Sequence, residues 1–156
     1  MSNRQPTRRT APPDPERFPV LWPMATRWDD NDHDGHVDTV TYYSYFDNAV
    51  NGWLRANTGV DIRELDAIGV VAESSCRFLE ELSFPDRLRI GLAVERLGRR
   101  SVTYTLGVYR EGTGDDLHPV ATGRLVHVYV DVNTRRPVPV PEQIRKTVNQ
   151  LVVRRS

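Results

Sequence analysis

The chain has 156 residues, of which 21 are basic and 21 acidic, so its formal net charge at pH 7 is zero. This balance argues against a nucleic-acid binder that depends on a large basic excess, and the single cysteine excludes an intrachain disulfide and CxxC metal or redox motifs. No apolar run approaches the roughly 20 residues that span a bilayer, and no signal-peptide core is present, so we expect a cytoplasmic protein without a membrane partner.

The first 20 residues are predicted to form a disordered or extended tail. They contain four arginines and five prolines but few apolar side chains. Proline removes backbone hydrogen-bond donors, and a segment with so little apolar surface cannot form a core. We therefore place one folded domain, the usual number for this length, at residues 21–156.

The first two elements of that domain are a short strand and a long helix. Residues 21–28 have strand character, and Pro23 restricts this strand to an edge or a start of a sheet. From residue 39 to about residue 57, apolar side chains recur every three or four positions, which predicts a helix with one apolar face. Asp38 is suited to cap this helix and Gly59 to end it.

The second half of the chain has the pattern of an antiparallel sheet. Its strand candidates are residues 70–79, 87–97, 101–110 and 120–132, followed by a short helix from 142 to about 151. The glycine-containing links between the last three strands are typical of hairpins. The apolar face of such a sheet must be covered, and only the long helix is large enough to cover it. The sequence therefore predicts an α+β fold, with an antiparallel sheet of about five strands wrapped around one long central α-helix.

A cluster of acidic residues separates the first strand from the long helix. Its charged members are Asp29, Asp30, His33, Asp32, Asp34 and His36. Charged side chains are rarely buried without partners or a task, and the start of a helix offers unpaired N–H groups with partial positive charge. We predict that this loop is the functional site. The alternative is a solvated acidic loop with a capping aspartate.

Metal binding is a second interpretation of the same loop. Residues 30–35 match the opening D-x-D-x-D-G of an EF-hand, but Thr41 occupies the twelfth position, where a bidentate glutamate is needed. His33 and His36 could ligate a transition metal, although three-residue spacing outside a helix is weak support. We therefore predict no metal.

A carboxylate-based hydrolase is the third interpretation. An ionised Asp32 would lie just before the helix, whose first amides would polarise a carbonyl group and stabilise its oxyanion. The carboxylate would then attack the carbonyl carbon or draw a proton from water. Thioesters suit this arrangement because a thiolate leaves without a strong general acid. No Gly-x-Ser-x-Gly elbow or glycine-rich phosphate loop offers an alternative.

The run RWDDNDHDGHVDTVTY at 27–42, with Tyr45-Phe46-Asp47 after it, resembles the hot-dog-fold acyl-CoA thioesterases of the 4-hydroxybenzoyl-CoA thioesterase type. Their signature is an aspartate-rich loop, Gly-His-Val-Asn or a variant, and a tyrosine on the central helix. The order of elements agrees over about residues 21–150. The resemblance implies hydrolysis of an acyl- or aryl-CoA to the free acid and coenzyme A without a cofactor.

By this resemblance, Asp32 is the catalytic carboxylate and the backbone amide of Thr39 is the oxyanion donor. Gly35 and His36 belong to the same motif, and we expect His36 to order the loop by hydrogen bonding. One departure is Asp38, which replaces the usual asparagine and adds a charge beside the oxyanion site.

The resemblance also implies residues outside the loop. The residues expected to bind the coenzyme A phosphates are Arg99, Arg100 and Ser101. Asp47 lies on the helix, where some relatives carry their catalytic carboxylate, and Glu73 lies on a strand expected to face the helix start. Both are candidate helpers, although Glu73 is also explained as a surface residue.

A homodimer or homotetramer with sites at the dimer interface is implied as well. An open sheet has free edges, and pairing two copies edge to edge removes them. Two alternatives remain: a non-catalytic protein of this fold that binds acyl-CoA or an acyl carrier, and a dehydratase, which generally presents a histidine at a different spacing. The acyl group is not predicted.

Overall fold

The computed structural model describes residues 14–153. The strands and α-helices of this part are β1 (Val20–Ala25), α1 (Thr39–Thr58), β2 (Ala67–Phe78), β3 (Arg87–Leu97), β4 (Ser101–Glu111), β5 (Leu117–Asp131) and α2 (Glu142–Val148). Short 3-10 turns lie at 15–17, 28–30, 62–64 and 149–151. The predicted bounds of α1 and β3 differ from these by no more than one residue, whereas β2 and β5 begin three residues earlier than predicted.

The five strands form one antiparallel sheet in the order β1-β3-β4-β5-β2. Hairpins join β3 to β4 and β4 to β5, as predicted, but β2 pairs with β5 instead of with β3, which follows it in the chain. The two edges of the sheet are therefore β1, which holds Pro23, and β2. The edge position expected for the proline-containing strand is confirmed.

Helix α1 covers one face of this sheet. The side chains that α1 buries include Tyr42, Tyr45, Phe46, Ala49, Val50, Trp53 and Leu54. Those that β3 and β4 bury beneath it are Leu88, Ile90, Leu92, Val94, Val102, Tyr104, Leu106 and Val108. These alternate positions share one face of each strand because side chains alternate across a sheet. The predicted α+β architecture, with the sheet packed on one long helix, is confirmed.

The ends of α1 follow the predicted capping. One carboxylate oxygen of Asp38 accepts a hydrogen bond from the backbone N–H of Val40 at 3.2 Å, and Gly59 ends the helix in the left-handed region with φ of 76°. Gly52, inside the helix, lies against the indole of Trp22, which would be only 2.9 Å from a Cβ at this position.

The segment before β1 differs from the predicted tail. Residues 1–13 lie outside the described part of the chain, but Phe18 is buried against the face of the sheet opposite α1. Its ring lies edge-on to that of Tyr109, with centroids 6.1 Å apart, and against Gly91. The sequence pattern missed this contact because a single phenylalanine among prolines and arginines has no periodicity.

Gly123 of β5 lies directly beneath the ring of Phe46, so replacing it with alanine is expected to destabilise the fold. A Cβ at this position would overlap the ring and lie 2.9 Å from the carbonyl oxygen of Ser75. Overpacking of this kind costs about 1–3 kcal/mol, measured as a lower free energy of unfolding in urea. Gly112→Ala is the matched control, because its nearest neighbour is the exposed, movable side chain of His118. Equal stabilities of the two variants would contradict this packing.

Candidate active site

The acidic loop between β1 and α1 closes on itself through backbone hydrogen bonds. The N–H of Asp32 donates to the carbonyl oxygen of His36 at 2.7 Å, and the N–H of Gly35 donates to the carbonyl oxygen of Asp32 at 3.0 Å. Gly35 has φ of 85°, in the left-handed region that glycine adopts without strain. Gly35 and His36 thus reverse the direction of the chain before α1 begins.

Asp32 lies on the exposed side of this loop. One of its carboxylate oxygens accepts hydrogen bonds from the loop, and the other is free to contact a substrate or water. Its Oδ1 accepts hydrogen bonds from the backbone N–H groups of Asp34, at 2.8 Å, and His36, at 3.2 Å. Its Oδ2 has no hydrogen bond to the described residues. The His36 hydrogen bond, more than any other interaction, holds the pKa of Asp32 below its usual value of 3.8. This carboxylate is ionised at neutral pH and can accept a proton or attack a carbonyl carbon.

The lowered pKa of Asp32 predicts the acid limb of the pH–activity profile. A group that must be ionised, with a folded pKa below 3.8, stays active until the pH falls through that lowered value. For the hydrolysis that the resemblance implies, we therefore expect kcat/KM to change little from neutral pH down to about pH 5. The profile should be recorded with circular dichroism at each pH, to separate titration from unfolding. An acid limb centred near pH 6 to 7 would assign the essential ionisation to another group.

Asp30, two residues earlier, anchors the loop to α1 instead of facing solvent. It is 6% exposed, and its Oδ2 accepts hydrogen bonds from the hydroxyl of Tyr45 and the backbone N–H of Arg27, each at 2.8 Å. Burial and then the hydrogen bond to Asp30 raise the pKa of Tyr45, which stays protonated as a donor. The two aspartates of the D-x-D element therefore differ in role because one faces the helix and the other faces out.

The connection between β2 and β3 supports the outer side of the loop. The Ser83 hydroxyl donates to the carbonyl oxygen of Gly35 at 2.7 Å, and the backbone N–H of Phe84 donates to Asn31 Oδ1 at 3.0 Å. The imidazole of His36 lies 2.8 Å from a carboxylate oxygen of Glu81. Sequence reasoning missed this support, since the contacting residues are about 45 to 55 positions apart and carry no shared motif.

The first turn of α1 presents an unpaired amide beside the loop. The Asp38 side chain caps Val40, and the N–H of Thr41 donates to the carbonyl oxygen of Asp38 at 2.9 Å. The N–H of Thr39 has no acceptor among the described residues, and Thr39 is exposed. An amide at this position combines a free donor with the positive end of the helix dipole.

A cavity of about 440 Å³ adjoins Asp32 and is walled by Trp28, which is 71% exposed. The Trp28 ring lies edge-on to Phe84, with centroids 6.0 Å apart. Asp29 and His33 also line this cavity. Because the cavity is lined by two acidic side chains, Asp29 and Asp32, it repels phosphate groups. Trp28 was not among the predicted site residues, although an exposed tryptophan beside a polar loop is a usable signal.

The other predicted residues lie away from Asp32 within one chain. Arg99, Arg100 and Ser101 form the β3–β4 hairpin, roughly 33 Å along β3 from the end that adjoins the acidic loop. Glu73 is exposed, with Oε1 2.6 Å from Arg124 Nη1, on the face of the sheet opposite α1. Asp47 lies on α1, with Oδ1 3.3 Å from Nε2 of His127. Asp32, Gly35 and His36 share one hydrogen-bonded loop and Thr39 begins the helix that follows it, whereas these other residues lie elsewhere in the chain.

Residues 14–153 hold neither a preformed metal site nor a membrane-spanning helix. No group of three or more His, Cys, Asp or Glu side chains there is arranged to hold a metal ion. In the same residues, no helix has the length and apolar character needed to cross a membrane.

Comparison with known proteins decides the family. Residues 26–148 match the model of the thioesterase-like superfamily. The chain belongs to this superfamily. The matched range contains the acidic loop, α1, all of β2 to β5 and α2, so the resemblance expected from the motif is confirmed over most of the domain.

Individual relatives agree with this assignment. The chain is similar to the PA5185 protein from Pseudomonas aeruginosa, with 41% identity, a TM-score of 0.83 and coverage of 90% of this chain and 96% of that one. It is 36% identical over 95 residues to 1,4-dihydroxy-2-naphthoyl-CoA hydrolase of Thermosynechococcus vestitus, covering 57% of this chain and 61% of that relative, less than two thirds of its length. The 1,4-dihydroxy-2-naphthoyl-CoA thioesterase from Synechocystis shares the fold, with a TM-score of 0.75, 15% identity and coverage of 85% and 96%.

Proposed function

We propose that this protein hydrolyses the thioester of an acyl- or aryl-CoA. The observation that carries the proposal is that Asp32 keeps one carboxylate oxygen without a hydrogen bond to the described residues, on the loop that leads into α1, where the amide of Thr39 has no acceptor among those residues. Membership of the thioesterase-like superfamily and the partial match to a naphthoyl-CoA hydrolase support the substrate class. The acyl group itself is not part of the proposal.

Two chemical routes fit this pair of groups. Asp32 either takes a proton from a water molecule that adds to the thioester carbonyl carbon, or adds to that carbon directly and forms an anhydride that water then hydrolyses. In both routes the carbonyl oxygen becomes an oxyanion that the Thr39 amide stabilises, and the C–S bond breaks to release the coenzyme A thiolate. Gly35 and His36 position the carboxylate by shaping the loop.

Cys76 does not offer a competing nucleophile. It is the one cysteine of the chain and lies half-buried in β2. Burial raises the pKa of its thiol to about 12, so the thiolate is scarce at neutral pH. The Cys76 thiol is therefore not the nucleophile of the proposed hydrolysis.

Binding of the coenzyme A phosphates by Arg99 and Arg100 requires a second copy of the chain. The acidic cavity beside Asp32 repels phosphates, and the hairpin of the same chain lies at the opposite end of the sheet. The free edge at β2 exposes Val71 and Phe78. Antiparallel pairing of two copies along this edge would bring the hairpin of one copy to the Asp32 end of the other. Sedimentation analysis should therefore show a dimer or a tetramer.

The second candidate function is a non-catalytic protein that binds acyl-CoA or an acyl carrier. Asp38 favours it, because a carboxylate next to the Thr39 amide opposes the build-up of negative charge on an oxyanion. A thiol-release assay on acetyl-, hexanoyl-, palmitoyl-, benzoyl- and phenylacetyl-CoA discriminates the two. Turnover of any of these esters supports hydrolysis, and saturable binding without turnover across the panel would favour the binding protein.

A further inference from the structure

The tip of the β3–β4 hairpin, residues 98–100, is held by a side chain of α2. Nη2 of Arg145 donates hydrogen bonds to the carbonyl oxygens of Gly98, at 2.7 Å, and Arg99, at 3.1 Å. The residue before it, Ile144, is buried in the core between the sheet and α1, so the backbone that carries Arg145 is fixed. The position of the hairpin tip is therefore set by a residue that follows Arg99 by 46 positions.

Every carbonyl oxygen of this hairpin tip already accepts a hydrogen bond. The oxygen of Arg99 accepts from the N–H of Val140, at 2.9 Å, as well as from Arg145. The oxygen of Arg100 accepts from the N–H of Tyr129 at 2.8 Å. The N–H groups of Arg99 and Arg100, however, have no acceptor among the described residues. The tip therefore offers only donors to a ligand, as backbone sites for anions do.

The charge of this region favours the same class of ligand. Arg99 and Arg100 are exposed and Arg145 is half-buried, and in residues 14–153 none of the three forms an ion pair with a carboxylate. By contrast, Arg89 and Arg124 elsewhere on the sheet are both paired with glutamates. Neighbouring cations without a counter-charge repel one another, and an anion bound beside them would relieve that repulsion.

We propose that Arg145 is a positioning residue for the phosphates of the coenzyme A ester, which it serves by fixing the hairpin that carries Arg99 and Arg100. This role rests on the proposed function, because it takes the ester as the ligand of the hairpin. The planar, permanently charged guanidinium suits a site with two carbonyl oxygens. Without it, the oxygens of Gly98 and Arg99 are free to turn toward water, where they would repel a phosphate.

The phosphate groups have two sources, a free coenzyme A ester or the phosphopantetheine arm of an acyl carrier. Three probes that differ in their phosphates distinguish the sources: coenzyme A, 4′-phosphopantetheine and pantetheine. Weaker binding of 4′-phosphopantetheine than of coenzyme A assigns the hairpin to the nucleotide phosphates, which only the free ester carries. Equal binding of these two probes assigns it to the phosphate that an acyl carrier also presents.

Isothermal titration calorimetry of the full-length protein measures the dissociation constant of each probe without turnover. We expect Arg145→Met to weaken the binding of coenzyme A about tenfold and to leave that of pantetheine, which has no phosphate, unchanged. Lys146→Met is the matched control. It removes the same charge from the next residue, whose exposed side chain has no hydrogen bond or ion pair with the described residues, so the dissociation constant should change by no more than about twofold.

Two further comparisons separate positioning from a general effect of charge or stability. Arg145→Lys keeps a charged donor, so it should retain more of the coenzyme A affinity than Arg145→Met. In a background that carries Arg99→Gln and Arg100→Gln, Arg145→Met should have a much smaller effect, because two of the groups that it positions are gone. A side chain that attracted the phosphates by its own charge would add its full loss to theirs. Circular dichroism shows whether each variant is folded.

Kinetics give a second measurement of the same role. For an ester that the wild type hydrolyses, Arg145→Met should raise KM about tenfold and leave kcat within about twofold, because the phosphates lie away from the reacting carbonyl carbon. Equal dissociation constants of coenzyme A in the wild type and Arg145→Met, full additivity with the hairpin variants, or a wild type that binds pantetheine as tightly as coenzyme A would overturn the proposal. Absence of hydrolysis of every ester would count against the proposed function only, since the titrations need no turnover.

Discussion

Replacing Asp32 with asparagine is expected to lower kcat/KM for thioester hydrolysis by at least about 100-fold. The carboxamide keeps the size of the side chain, and its oxygen can still accept the hydrogen bonds that the amides of Asp34 and His36 donate. It cannot take a proton from water at neutral pH or attack a carbonyl carbon. The loop of the variant should therefore keep its conformation but lack the group that acts as base or nucleophile. Thiol release under steady-state conditions measures the effect.

The matched control for this change is Asp34→Asn. It removes the same charge two residues away, and the only contact that Asp34 makes with Asp32 is through its backbone N–H. We expect activity within about threefold of the wild type, because the Asp34 side chain is exposed, so that solvent and salt screen its charge, and the backbone N–H that bonds Asp32 is kept. If Asp32→Asn retained activity, the carboxylate role would pass to Asp47 on α1, the next candidate by resemblance. Circular dichroism of both variants excludes unfolding as the cause.

Removal of the buried carboxylate of Asp30 is expected to have the largest effect on stability. In Asp30→Ala the buried hydroxyl of Tyr45 and the partly buried backbone N–H of Arg27 both lose their acceptor. Leaving such groups unpaired costs about 2–3 kcal/mol of the free energy of unfolding. The same variant should lose turnover, because the Asp32 loop is released from α1. Urea denaturation and thiol release measure the two effects.

A double-mutant cycle with Tyr45→Phe tests whether that loss comes from this contact. Tyr45→Phe alone removes the donor but leaves Asp30 bonded to the backbone of Arg27, so it should cost about 1 kcal/mol. The double variant should be less destabilised than the sum of the two single variants, by about 1 kcal/mol of coupling. Strict additivity would show that the hydroxyl and the carboxylate do not interact in the folded protein.

The sequence predicted the architecture because the signals involved are local. The three- and four-residue spacing of apolar side chains predicted α1, and Asp38 and Gly59 marked its ends. Its later members, from Phe46 to Leu54, are buried as that pattern requires, whereas Val40 and Tyr43 at its start are exposed. The sequence also predicted the strands β3 and β4, whose alternate side chains lie beneath α1. The pairing of β2 with β5 was not predictable in the same way, since it depends on contacts between distant segments.

Within the candidate site, the motif identified the loop but did not separate the tasks of its aspartates. Asp30 and Asp32 are the same residue type, so the sequence does not distinguish them. Only the fold shows that Asp30 is buried against Tyr45 while Asp32 is exposed. His127 was missed altogether. It is a lone histidine in an apolar strand, and its partner Asp47 lies 80 positions away.

Residues predicted from resemblance depend on an assembly that one chain does not show. Arg99 and Arg100 lie at the far end of the sheet from Asp32, and Glu73 is on the opposite face, paired with Arg124. Their roles stay predictions, and those of the two arginines require a second copy of the chain. The proposal that Arg99 and Arg100 bind the coenzyme A phosphates therefore depends on the oligomeric state of the protein.

The role of the α1 N-terminus is tested most directly by Thr39→Pro, compared with Thr39→Ala. Proline is favoured at the first position of a helix, and Asp38 already has the extended backbone (φ −62°, ψ 136°) that a following proline requires. The proline variant therefore deletes the N–H proposed to bind the oxyanion and keeps the helix, while the alanine variant keeps both. We predict that kcat falls about 100-fold or more in Thr39→Pro and changes little in Thr39→Ala. Equal kcat values in the two variants would contradict the site described here.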